Sequence, residues 1–394
     1  MTLPAAPPHA ELSVDAMLAR AGAETGLTDF GDEAFLEALH RLIDSSNRDV
    51  ILSATGIAAV ENDVHRILVN RLRFAADLNV HPEILDEDVD DPIVILGMPR
   101  TGTTKLQRMM SADPEVQRLD YWRLLNPAPF PGNAAGAPDP RIAAARQAVA
   151  MMNQLMPDWR ASHPTEAEDV DEEVYLQTFT CKSIITCASR ELPSYQAWMQ
   201  TQSMRGTYAY MKQLLQYLQW QGGGKRQRPW IMKSPVHMGT VDLLLELFPK
   251  ATLVFTHRDL YTATASICRL MENTWNLYAV SVDRHAIGRT VRELFLAQLR
   301  HHLVLRDRLG ARLDILDVQY ERIRSHSLDV IAEIYGRAGR ELTPARRAAM
   351  LAWEAGNPQH SAGKPSYCLE DYGLTRADIE ADCGAYLQRF SVAP

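Results

Sequence analysis

Apolar residues recur at helical spacing through the first part of the chain. Phe35, Leu36, Leu39, Leu42 and Ile43 share one helical face, and Val60, Val64, Ile67, Leu68 and Leu72 share another, so residues 12–85 are expected to be helical. The period then changes. Asp91–Gly97 is a β-branched run bounded by Pro92 and Gly97, which predicts a buried strand. Residues 126–140 hold five prolines and two glycines and read as loop. Helical character returns over 141–220, rich in Ala, Met, Gln and aromatic residues, and stops at Gly222–Gly224. Trp230–Lys233, Thr252–Thr256 and Leu313–Val318 are further strand candidates, separated by helical patterns at 238–248, 260–272, 286–308 and 327–338. Strands alternating with helices predict an α/β fold, a mostly parallel sheet flanked by helices. The expected division is an N-terminal helical region (1–90) packed on an α/β domain (91–394), with 141–222 inserted as a helical cap.

Ligands of such sheets bind beyond the carboxyl ends of the strands, and three strand ends carry chemistry. Gly97-Met98-Pro99-Arg100-Thr101-Gly102-Thr103-Thr104 follows the first strand and opens a helix predicted over 103–111. Its glycines permit a tight turn, and the helix N-terminus adds partial positive charge, so the segment suits a phosphate. Against the triphosphatase loop G-x-x-x-x-G-K-S/T, both glycines and Thr104 match, but Thr103 replaces the lysine that grips terminal phosphates. The sheet is therefore P-loop-like, and the missing lysine weighs against an ATPase or kinase. After the second strand, Lys233-Ser234-Pro235-Val236-His237 brings a lysine and a histidine to the same edge, and histidine suits proton removal near neutral pH. After the third, His257-Arg258-Asp259 leads into a helix bearing Ser266, so Arg258 and Ser266 can converge on one anion.

Charge and composition narrow the picture. Forty-one basic against forty-nine acidic residues leave a net charge of −8, which disfavours nucleic acid and anionic membrane as general partners. No apolar run approaches the ~20 residues of a membrane helix, and Met1–Ala10 does not have the pattern of a secretory signal. Five scattered cysteines without C-x-x-C spacing read as reduced thiols of a cytoplasmic protein, with no zinc site. In Pro164–Glu173, six of the last eight residues are acidic. Thr165 and Glu168 are in the spacing of a helix capping box, and a carboxylate reaching a substrate is the alternative. Met151, Met152, Met156, Trp159, Tyr175, Phe179, Tyr195, Trp198, Tyr208 and Tyr210 suit a helical core, a cap over an apolar ligand, or both. Lys225-Arg226-Gln227-Arg228 reads as a solvated turn.

In this order, these segments resemble the sulfotransferases that use 3′-phosphoadenosine 5′-phosphosulfate (PAPS), and more closely the bacterial-type family with a G-x-P-R-S/T-G-T-T loop. Leu27–Gly31, Asp91–Thr104, Trp230–His237, Phe248–Arg258 and Tyr367–Leu374 carry the resemblance, which covers most of the chain. It implies transfer of a sulfuryl group from PAPS, as co-substrate and without a metal, to a hydroxyl or amine of a small, partly apolar acceptor. Arg100, Thr101, Gly102, Thr103 and Thr104 would bind the 5′-phosphosulfate, with Arg100 where many members have lysine. Arg258 and Ser266 would bind the 3′-phosphate, Tyr320 would contact adenine, and Lys364 would clamp the 3′-phosphate. Arg100 and Lys233 would stabilise the leaving oxygen. Cytosolic relatives have Lys-Thr-His after the second strand; here the third position is Pro235 and the histidine comes two residues later. Lys105 also stands where those relatives have Trp. The base is accordingly open between His237 and an acidic residue of 166–173. A P-loop kinase or NTPase and a non-catalytic nucleotide-binding protein are the alternative functions, and a homodimer is compatible with the sequence.

Overall fold

Four strands, β1 (Ile93–Gly97), β2 (Ile231–Lys233), β3 (Thr252–His257) and β4 (Ile315–Gln319), form a parallel sheet in the order β2-β1-β3-β4 in the computed structural model. Residues 11–132, 136–224, 228–357 and 368–392 are described. Of the residues singled out above, Met1–Ala10, Lys225, Arg226, Gln227, Lys364 and Tyr367 lie outside them. The fold is α/β and P-loop-like.

Both faces of the sheet are covered. Side chains alternate across a strand, and β1 shows the consequence: Val94 and Leu96 join a large apolar cluster on one face, while Ile93 and Ile95 join a smaller one on the other. The smaller cluster holds Leu106, Met109 and Met110 of α4 (Thr103–Met110) and Val330, Ile331 and Ile334 of the helix Ser327–Arg337. The larger runs without a break into the N-terminal helices α1 (Val14–Thr25), α2 (Phe35–Arg48) and α3 (Ala54–Val80). All four predicted strands form, with boundaries shifted by one or two residues.

Region 141–220 differs from a continuous helical block. It contains α5 (Pro140–Leu155), α6 (Ile184–Ser189) and α7 (Arg205–Gln221), separated by loops that carry the shorter helices Trp159–Ser162, Val174–Gln177 and Pro193–Gln200. Prolines at 157, 164 and 193 interrupt the pattern. The capping box expected at Thr165 does not form, because residues 164–166 do not enter a helix and the next helical turn begins only at Val174. Thr165 instead accepts a hydrogen bond from Trp159 Nε1 at 3.3 Å. Beyond β3 lies α8 (Leu260–Tyr278), capped by Asp259, whose carboxylate accepts from the amides of Tyr261 and Thr262. The helix α9 (Ala297–Leu309) packs behind the sheet and continues a π-helical turn at Arg292–Leu296, so the predicted helix 286–308 forms as one helical run with a wider turn inside it. All five cysteines are free thiols. No helix among the described residues is long and apolar enough to cross a membrane.

Candidate active site

The loop after β1 is shaped by two glycines. Gly97 has φ +136°, and a Cβ there would stand 2.6 Å from the Thr256 carbonyl oxygen of β3. Gly102, at φ +89°, caps α4 and lies so close to Tyr320 that a Cβ would meet its ring at 3.0 Å. Between them Thr101 Oγ1 donates to Met98 O at 2.6 Å and lies 2.6 Å from Thr256 Oγ1, pinning the loop to β3. Arg100 occupies the left-handed region at φ +71°, a conformation that costs energy for a residue with a Cβ. The first amides of α4, at Thr103 and Thr104, have no partner within the helix and belong to its positive end.

Around this loop the strand ends converge. Arg100 Nε donates to Ser266 Oγ at 3.1 Å. Arg258 Nη1 donates to the carbonyl of Arg100 at 2.6 Å, and its guanidinium lies over the Tyr320 ring, 4.2 Å from the centroid. The structure thus brings together Arg100, Thr101, Gly102, Thr103, Thr104, Arg258, Ser266 and Tyr320. Lys105 points away, pairing with Glu354 at 2.7 Å.

At the end of β2 the acidic segment folds over the lysine. Lys233 is buried; its Nζ pairs with Glu172 Oε1, and its backbone amide donates to Glu173 Oε2 at 2.7 Å. Ser234 Oγ donates to the other Glu172 oxygen at 3.3 Å. Glu173 and His237 are both fully buried, with His237 Nε2 2.5 Å from Glu173 Oε1. The other ring nitrogen of His237 lies 2.7 Å from Tyr208 OH, which also meets Thr240 Oγ1 at 2.5 Å. Both nitrogens of His237 therefore have protein partners.

A cavity of ≈ 630 Å³ opens beside the loop. Arg100, Gly102, Thr103, Thr104, Arg258 and Tyr320 line one end, and Glu172 and Pro235 lie on its wall; His237, Lys233 and Glu173 are not among its lining residues. One face of α8 forms the length of another wall through Ile267, Leu270, Met271, Thr274, Leu277 and Tyr278, at the i, i+3, i+4, i+7 spacing of a single helical stripe. Met151, Met152 and Leu155 of α5 also line it. Of the aromatic and methionine residues expected to be core or cap, Met151, Met152, Met156, Trp159 and Tyr175 line the cavity, whereas Phe179, Tyr195 and Tyr208 are core.

His163 and Arg190 are among the cavity groups not singled out in the sequence. His163 stands between Trp159, 5.3 Å from its ring, and buried Asp171, 3.4 Å from its Nε2. Burial pushes the Asp171 carboxyl up, but His163 and Lys233 outweigh burial and hold it down at about 2. The eight-residue interval from His163 to Asp171 was the available signal, masked by the acidic run. Arg190, the residue after α6, is the second. Its neighbours in sequence are ordinary, and only the tertiary fold turns it into the cavity.

Residues 92–344 match the model of the sulfotransferase family. The ω-hydroxy-β-dihydromenaquinone-9 sulfotransferase Stf3 of Mycobacterium bovis is 26% identical over 194 residues, 48% of this chain and 48% of that relative. The match thus spans about half the relative's length. Sulfotransferase STF9 of Mycobacterium avium superimposes with a TM-score of 0.85 at 27% identity, covering 99% of both chains. STF1 of Mycobacterium tuberculosis does so with 0.80 at 27% identity, covering 94% of this chain and 98% of that one.

Proposed function

The chain belongs to the sulfotransferase family, and from that premise we propose that it moves a sulfuryl group from PAPS to a hydroxyl of a partly apolar acceptor held in the cavity. The observation that carries this reading is one cavity with two unlike ends: a phosphate-type loop with Arg258 and Tyr320 at one, Arg100 there being held by Ser266, and an apolar chamber beyond.

The residues suit the nucleotide. Gly102 leaves the space a Cβ would fill, so the backbone amides of the loop and of α4 can approach a phosphate closely. Arg258 and Ser266 offer charge-assisted and neutral donors for a 3′-phosphate, and the Tyr320 ring offers a face for a purine. When bound, PAPS supplies an activated sulfuryl group whose leaving oxygen belongs to a phosphate. Arg100 and the loop amides hold that phosphate and stabilise the charge that grows on it.

The acceptor must lose its proton as its oxygen bonds to sulfur. Glu172 is the base this geometry favours, because it lines the cavity beside Lys233, whereas His237 is enclosed between Glu173 and Tyr208. His237 is then a positioning residue: it anchors Glu173, whose carboxylate holds the backbone of Lys233. Lys233 neutralises Glu172 before transfer. The name of Stf3 points to a hydroxylated acceptor, which agrees with an apolar chamber.

Calorimetry tests the nucleotide side. The 3′,5′-bisphosphate product is expected to bind without Mg²⁺ and at least tenfold more tightly than AMP. Equal affinity for the two would overturn the reading, and Mg²⁺-dependent ATP turnover would replace it with a kinase or NTPase.

A further inference from the structure

Arg190 is 6% exposed and lines the cavity, yet its Nε and Nη1 are buried without a hydrogen-bond partner. Among the described residues no carboxylate lies within 4.0 Å of it. Its one close contact of note is the ring of Tyr278, 4.8 Å from the guanidinium to the centroid. The nearby carboxylate is already engaged: Asp63 accepts from Tyr278 OH at 3.2 Å and faces Arg66 at 4.0 Å. Arg190 is therefore the surplus cation of this corner.

Its place in the cavity follows from α8. Ser266, bonded to Arg100, marks the phosphate end, and Tyr278 lies twelve residues farther along the same helix. At about 1.5 Å per residue that is roughly 18 Å. The wall between them is the apolar stripe Ile267–Leu277. A buried guanidinium with idle donors is costly, since such groups normally carry both a counter-charge and hydrogen bonds. Apolar walls do not supply either. A ligand with an anionic oxygen does.

We propose that Arg190 recognises a carboxylate at the far end of the acceptor, so that the acceptor is an elongated apolar molecule with a hydroxyl at one end and a carboxylate at the other. This rests on the sulfotransferase reading for the hydroxyl end only; the carboxylate end stands on Arg190 itself. A guanidinium gives a carboxylate charge-assisted donors; Nε and Nη1 are sealed from solvent, so Nη2 is the nitrogen that meets a ligand from the cavity.

Binding without turnover separates the two claims. Decanoate and decan-1-ol share an apolar body and differ only at the head, and calorimetry on the full chain saturated with the bisphosphate product compares them. Decanoate is expected to bind about tenfold to hundredfold more tightly than decanol, the range of a charge-assisted pair. Arg190→Gln should abolish that preference while leaving decanol within twofold, and Arg190→Lys should retain part of it. The melting temperature of Arg190→Gln should not fall, because it removes an unpaired buried charge. Equal affinity of the native chain for the two probes overturns the proposal. So does an Arg190→Gln chain that melts lower and loses both probes alike, which is the behaviour of a structural arginine. Failure to bind the bisphosphate product would instead strike the sulfotransferase reading, with the decanoate comparison still legible.

Discussion

The two ends of the cavity are made in different ways. At the phosphate end, positions are set by backbone: strand termini, a loop whose φ angles demand glycine, and the first turn of α4. Side chains there bind one another across the strand ends, as Arg258 does with the Arg100 carbonyl and Arg100 with Ser266. At the acceptor end there is little backbone polarity. Apolar side chains from α3, α5, α6 and α8 enclose the space, with single polar groups set into it, such as His163, Glu172 and Arg190. The first end is built for one chemical group and tolerates little change. The second is built for shape, and its few polar groups decide what enters.

That contrast predicts how each end fails. The largest effect belongs to the base. Glu172→Gln keeps the shape but cannot take a proton, so kcat should fall by about 10²–10⁴ with the affinity for the bisphosphate product nearly unchanged. His237→Gln should fall less in kcat and more in thermal stability, since its ring lies in a buried hydrogen-bond chain. A larger kcat loss for His237→Gln at unchanged melting temperature would reverse the assignment. Next comes the phosphate end. Arg258→Ala removes a charge-assisted donor and should cost about 1.5–3 kcal/mol in bisphosphate affinity, while AMP affinity changes little. Competition calorimetry with both nucleotides checks it.

The smallest effect concerns pH and lies behind the sheet. His302 donates from Nδ1 to Met238 O at 3.0 Å and accepts at Nε2 from Arg306 at 2.8 Å, so the ring is neutral. Burial first, and the Arg306 charge second, push it down to about 3 from its ordinary 6.5. The unfolded chain therefore takes up a proton that the folded chain refuses, and stability falls as pH drops below 6.5. From there to pH 5 the loss is about 2 kcal/mol. Asp171 works in the cavity wall over a lower window: its stabilisation is present above its ordinary 3.8 and is lost as pH falls toward about 2. Melts of the native chain and of His302→Gln between pH 5 and 7 should differ in slope, with His302→Gln flatter. Parallel slopes would remove His302 from the account.

Much of the phosphate end was legible in the sequence because strand-end chemistry is local. Gly97, Arg100, Gly102 and Thr104 stand within eight residues of one another, and β-branched runs announce the strands beside them. Topology then does the rest, since parallel strands bring all their carboxyl ends to one edge. The acceptor end was not legible in the same way. Glu172 was within view as one acid of a run, but its neighbour Glu173 faces inward to His237, and no spacing rule separates the two. His237 followed a strand and looked available; only the packing of Tyr208 and Glu173 around it shows the enclosure. Arg190 gave no signal, because an unpaired cation is a property of the folded cavity.

The central claim is that both ends serve one transfer. Its direct test is to incubate the full chain with PAPS and an ω-hydroxydecanoate acceptor and follow, by mass spectrometry, the sulfate ester and the bisphosphate product together. The account predicts that the two appear one for one, that Glu172→Gln suppresses both, and that the α,ω-diol of equal length is sulfated only at much higher concentration. Release of the bisphosphate product with no ester from either acceptor, or ester formation that survives Glu172→Gln, would contradict it.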